Sequence, residues 1–94
     1  MPTPNPLTGF DFCSLNDLDT NKLIKADYQD YIKTIKLGKY DFIGDVEYSK
    51  NKLGEHAVSI LVGDDGTWWN HILVYDKNDK RIKTVKYTSG GYRS

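Results

Sequence analysis

The chain has 94 residues with 13 basic and 13 acidic side chains, so its net charge is zero and composition favours neither a dedicated DNA binder nor an acidic DNA mimic. A chain of this size buries ~60 to 65% of its unfolded surface and has room for one core, so a single domain over residues 1–94 is expected. One cysteine, Cys13, excludes an internal disulfide. No run approaches the ~18 apolar residues of a membrane span, and no charged-then-apolar leader is visible, so a cytoplasmic protein without membrane contact is expected.

Charge is balanced in sum and uneven in place. Residues 77–94 hold Lys77, Lys80, Arg81, Lys83, Lys86 and Arg93 against Asp79 alone, whereas residues 41–47 hold Asp41, Asp45 and Glu47. The first residues, MPTPNP, alternate proline with small polar types, which predicts an extended, solvated arm over residues 1–8. Phe10, Phe12 and Leu15 follow, as a short edge strand or as an irregular segment whose aromatics plug one end of the core. Cys13 has no adjacent histidine or basic cluster to lower its pKa and is read as a small packed side chain.

Asp17, Asp19 and Asn21 carry oxygen at the first, third and fifth positions of an EF-hand-like stretch. However, Lys22 stands where such a loop requires glycine and Tyr28 where it requires a bidentate carboxylate, so helix capping is the better reading. Ile24, Tyr28, Tyr31, Ile32 and Ile35 then fall on one face of a helix running from about Asn21 to Leu37. Asp27 and Asp30 near its start and Lys33 and Lys36 near its end suit the macrodipole, and Gly38 can end it.

Beyond the helix the period changes to two. Lys39 to Tyr48 places Tyr40, Phe42, Val46 and Tyr48 on one side and Asp41, Ile43, Asp45 and Glu47 on the other, with Gly44 marking a bulge or a close approach. Glu55 to Val62 alternates His56, Val58, Ile60 and Val62 against Ala57, Ser59 and Leu61, a strand apolar on both faces toward its end. Gly63-Asp64-Asp65-Gly66 reverses the chain into Trp68. From Trp68 to Tyr87 two strands are joined by Asp76-Lys77-Asn78-Asp79-Lys80, where Asn and Asp tolerate positive φ. The fold class expected is α+β, one main helix packed on a four-stranded antiparallel β-meander, ending in a tail at 89–94.

His71 is the best candidate for a general base, yet neither it nor His56 has a partner at metal-ligand or triad spacing, so no cofactor and no metal are expected. The returning strand supplies Arg81, Lys83 and Lys86, with Tyr87 and Thr88 after them. A helix followed by an antiparallel sheet ending RIKTVKYTSGG, over residues 24–88, resembles the small toxin ribonucleases of the barnase, colicin and RelE type. That resemblance implies His71 acting with Arg81, Lys83 and Tyr87 on RNA, although this chain has no histidine in or before its helix. The strands from Tyr40 to Val85 also resemble the succession in uracil-DNA glycosylase inhibitor, without the acidic face of that family.

Strand alternation sends Trp68 and Trp69 to opposite faces, leaving one indole off the helix-covered side. Together with Lys83, Tyr92 and Arg93, that indole has the composition of a protein-binding hot spot. The function expected is therefore a protein-binding module, an inhibitor or an immunity or anti-defence protein of bacterial or phage origin that blocks a larger partner protein. The alternative is the ribonuclease toxin, the one reading under which nucleic acid would be a partner.

Overall fold

A computed structural model describes residues 5–64 and 66–88. Seven elements follow one another: β1 (Asp11–Cys13), α1 (Leu15–Thr20), α2 (Lys22–Thr34), β2 (Phe42–Lys50), β3 (His56–Gly63), β4 (Trp68–Tyr75) and β5 (Arg81–Tyr87). The strands form one antiparallel sheet in the order β1-β2-β3-β4-β5, so the fold is α+β and the meander is as expected. Two counts differ from expectation. The sheet has a fifth strand, because Asp11, Phe12 and Cys13 pair with Lys50, Ser49 and Tyr48. The helical layer has a second member, because Asp17 and Asp19 lie within α1 and form no cation loop.

One residue punctuates both helices. Ser14 caps α1 by accepting from the Asn16 amide, and Asn21 closes α1 while its side-chain oxygen accepts from Ile24 N at 3.1 Å to open α2. An Asn side chain at this junction satisfies an amide that the first turn of α2 would leave without a partner. The helix stops at Thr34, short of the expected Leu37, with the Ile35 amide bonded to Ile32 O. Ile35 is β-branched and already extended, so the chain leaves the helix before Gly38 is reached.

The two faces of the sheet are covered unequally. On the helical side Tyr48, Val58, Ile60, Val62, Leu73 and Tyr75 join Leu18 and Ile24 in the main core. Tyr28, Tyr31, Ile32 and Ile35 from α2 pack on its margin. On the reverse side a smaller cluster of Ala57, Ile72 and Val74 is covered by Leu7 and Phe10. Residues 5–8, expected to be a loose arm, instead make a turn in which Asn5 accepts from Leu7 N, and this turn delivers Leu7 to the sheet. Both side chains are half-buried, so their contribution is a fraction of the ~1.5 to 3 kcal/mol of full burial.

A bulge in β2 revises which side chains share a face. Ile43 pairs with Val62 and Val46 with Ile60, so Gly44 and Asp45 together oppose Leu61 alone. The extra residue shifts the two-residue phase, so Phe42 and Val46 lie on opposite faces and not together as the uninterrupted pattern implied. Ile43 packs with the helical core, and Phe42 turns to the reverse side opposite Gly63, next to Trp68. A Cβ on Gly44 would come within 3.2 Å of the Leu61 side chain, which is why the bulge takes a glycine there.

Gly63 is the most closely crowded of the described glycines. Its φ is +146°, and an added Cβ would lie 2.3 Å from Thr67 O and 2.6 Å from Trp68 Cα. Gly66, in the same reversal, would place a Cβ no closer than 3.8 Å to Asp64 Oδ1. Gly63→Ala is therefore expected to lose about 2 kcal/mol or more of stability in urea titration, while Gly66→Ala stays within about 0.5 kcal/mol. Equal effects of the two substitutions would contradict this assignment of the strained residue.

Candidate functional site

Both histidines lie on the helical side of the sheet, and each is tied into a side-chain network. The Trp69 indole N–H, which can only donate, reaches His71 Nε2 at 2.9 Å. That fixes the neutral tautomer with hydrogen on Nδ1, which donates to Tyr31 Oη at 2.7 Å. Both ring nitrogens are thus committed. Burial holds the His71 pKa below its ordinary value, and the Lys86 ammonium on the paired position of β5 lowers it further. A proton on Nε2 would also set two donors face to face.

The second network lines an open cleft of ≈ 520 Å³ where the α1–α2 junction meets the β4–β5 turn. Tyr48 Oη lies 2.5 Å from His56 Nδ1, and His56 Nε2 lies 3.5 Å from Asp79 Oδ1. Asn21 Nδ2 donates to the same carboxylate oxygen at 3.1 Å. Asp79 sits at φ +66°, the conformation expected for an Asn or Asp in this turn, and so it faces back toward the helices. Burial, followed by the charges of Cys13, Asp79 and Asp17, pushes the Tyr48 pKa up to about 12. Burial lowers the His56 pKa, with Asp79 opposing and Lys50 assisting. An Asp–His–Tyr chain could relay a proton, but Tyr48 is fully buried and offers substrate no hydroxyl. Among the described residues no group of three or more His, Cys, Asp or Glu side chains is placed to hold a metal ion.

A third feature lies on the reverse face, beyond the reach of Leu7 and Phe10. Phe42, Gly44, Leu61, Gly63, Asp64 and Trp68 line a groove of ≈ 300 Å³. A shallower hollow adjoins it, bounded by Tyr40, Phe42, Asp64, Gly66 and Thr67. Tyr40 is 74% exposed and Phe42 52%, an apolar area that small proteins generally cover or use. At the rim Asp64 Oδ1 accepts from the amides of Gly66 and Thr67, both at 2.8 Å. Those backbone bonds, Thr67 first, hold its carboxyl below the usual range and keep it anionic.

The residues singled out from sequence are dispersed by the sheet. Trp68 is the indole that faces away from the helices, and it lines the groove. Trp69 packs on the helical core with Lys86 Nζ 4.7 Å above its ring. Lys83 shares the reverse face with Trp68 but pairs with Val74, so about six residues of strand, ~20 Å, separate the two. Tyr92 and Arg93 lie outside the described residues. Of the set implied by the ribonuclease resemblance, His71 and Arg81 lie on the helical side, with Arg81 Nε 3.4 Å from Asp27. Lys83 and Tyr87 lie on the other side, opposite Val74 and Asn70. Phe42, Leu61 and Tyr40 went unnoticed as site residues because the unbroken alternation assigned Phe42 to the helical side. Gly44 marks the interruption in the sequence, and applying the one-residue shift of a bulge there moves Phe42 to the reverse side.

The lowered pKa values give a direction for acid sensitivity. Both imidazoles titrate below 6.5 when folded, so as pH falls through 6.5 the unfolded chain takes up protons first and the native state loses stability. The loss should continue until pH drops below the folded values, and full stability returns above about 7. Thermal melts from pH 7.5 to 5 should show a falling Tm, and a His56→Gln, His71→Gln double variant should show a flatter profile. A parent profile level across that range would refute the buried-neutral reading. Comparisons with protein-family models, with curated proteins and with solved structures returned no match to this chain.

Proposed function

We propose that this protein is a small protein-binding module, of the inhibitor, immunity or anti-defence kind, that occupies a larger partner and blocks it, with the groove at Trp68 as its anchor point. The observation that carries the reading is the half of the reverse face that no described residue covers. There Phe42 and Trp68 flank a groove whose floor is glycine and leucine and whose rim holds one fixed carboxylate. Rigid aromatic walls on strands lose little side-chain freedom when a partner docks, and Trp and Tyr are enriched where binding energy concentrates. The carboxylate at the rim favours a partner that sets a basic residue beside the apolar side chain entering the groove.

The ribonuclease reading has less support. It needs a base with a free nitrogen, whereas His71 is bonded at both; Arg81 and Lys86 share its face, but Lys83 and Tyr87 of the implied set are on the opposite side.

Two measurements separate the readings. Affinity capture from bacterial lysate, compared between the parent chain and Trp68→Ala, should retain a partner with the parent. The variant should weaken that complex by about 2 kcal/mol or more, roughly 30-fold in Kd, while its circular dichroism stays that of the parent. Equal retention by both would remove Trp68 from the interface. Incubation of the pure protein with transfer RNA should leave the RNA intact. Cleavage that disappears in His71→Ala would put the toxin reading first.

A further inference from the structure

The groove lies at one end of a sheet edge to which, among the described residues, no strand is paired, and carboxylates recur along its middle. β2 has nine residues, but β1 pairs only with Tyr48, Ser49 and Lys50. Phe42, Ile43, Val46 and Glu47 pair with β3 on one side of the bulge-bearing strand, and among the described residues no strand pairs with this stretch on the other side. Three hollows border this stretch: the groove at Trp68, the hollow at Tyr40, and a third at the far end lined by Phe12, Cys13, Leu15, Asp45, Val46, Glu47 and Tyr48. Among the described residues their linings are mainly apolar or small side chains and carboxylates, without lysine or arginine; Lys39 and Lys50 stand at the two ends, their Nζ atoms 5.4 Å over the Tyr40 ring and 5.8 Å over the Tyr48 ring. Phe12 is 72% exposed at one end, as Tyr40 is at the other, with Asp45 and Glu47 exposed between them.

We infer that a partner adds an extended, basic strand to the free edge of β2 between Phe42 and Glu47, in line with β1, and sets an apolar side chain into the Trp68 groove. This deepens the binding reading above and rests on it. Strand addition satisfies the open backbone groups of an edge, while side chains on alternate positions give specificity. The carboxylates determine what can approach. Asp45 and Glu47 repel another acidic edge, and the bulge at Gly44 and Asp45 discourages flat pairing, the usual protections of an edge strand. A strand carrying lysine or arginine meets attraction at the same positions, so those protections also act as selection by charge.

The β5 edge differs in this respect. It carries Arg81, Lys83 and Lys86 and would select an acidic strand. That contrast supplies the control.

The test uses two blocked octapeptides as probes, one alternating lysine with valine and carrying a single phenylalanine, the other with glutamate in place of lysine. Added to the isotopically labelled protein, the lysine peptide should slow exchange of the outward amides between Phe42 and Glu47 by about tenfold or more, and the glutamate peptide should not. Raising salt from about 50 to 200 mM should weaken the effect. An Asp45→Lys, Glu47→Lys variant, altered at two exposed positions, should keep the parent Tm and reverse the preference between peptides. Protection that appears at residues 83–87, or no protection with either peptide, would overturn the inference. Shifts of Trp68 and Phe42 without edge protection would overturn it too, while leaving the groove as a binding site. Persistence of edge protection in Trp68→Ala would instead count against the groove and uphold strand addition. Edge protection that grows with protein concentration in the absence of peptide would identify a second copy of the chain as the occupant and overturn the commitment to a basic partner strand.

Discussion

The phenol of Tyr75 sets the position of the long helix. Tyr75 is fully buried at the end of β4, and its hydroxyl donates to Asp27 Oδ2 at 2.6 Å. A buried hydroxyl without an acceptor costs about 1 to 3 kcal/mol, so the carboxylate of α2 must come to the ring and bring the helix with it. Arg81 then reaches Asp27 from β5 and lies 5.3 Å over the Tyr31 ring, joining the edge strand to the same anchor. Burial raises the Tyr75 pKa, the hydrogen bond to Asp27 and its charge raise it further, and Arg81 opposes them, so the donor keeps its proton throughout the working range.

This anchoring explains an imbalance in α2, where Ile24 alone is fully buried and the other core-facing residues are half-exposed. Apolar burial of that extent holds a helix of 13 residues only weakly. The remainder comes from polar struts: Asn21 to Asp79 at the first turn, Tyr75 to Asp27 in the second, and His71 to Tyr31 in the third. The histidines belong to this scaffolding. Their low pKa values follow from burial as neutral hydrogen-bonding partners, with Lys50 and Lys86 lowering them further.

Much of this was legible in the sequence, and for identifiable reasons. The helix from Asn21 and the strands containing Val58, Ile72 and Val85 have periodicities long enough to override local noise, and the turn at Asp76–Lys80 uses the residue types its backbone needs. α1 escaped because six residues with Leu18 as their one buried member carry no periodic signal. β1 was open between a short edge strand and an irregular segment, because three residues, two of them exposed, cannot display alternation. The networks that tie His71 and His56 depend on residues 40 and 8 positions away, a separation that spacing rules do not capture. Trp68 was recognised as a candidate for the outward indole, but its companions were not, since the strand holding them was counted without its extra residue.

That extra residue makes orientation in β2 a matter of parity. On one side of Gly44-Asp45 odd-numbered side chains face the helices, and on the other side even-numbered ones do: Ile43 but Val46 and Tyr48. The aromatic wall formed by Phe42 is thus encoded in the length of the segment joining it to Val46, and no property of phenylalanine alone places it there. In any lineage of this fold, insertions and deletions between positions 42 and 46 carry functional information that a tally of substitutions would overlook. Two chains with the same residues at every aligned position of the groove, but differing by one residue in that segment, would present different surfaces.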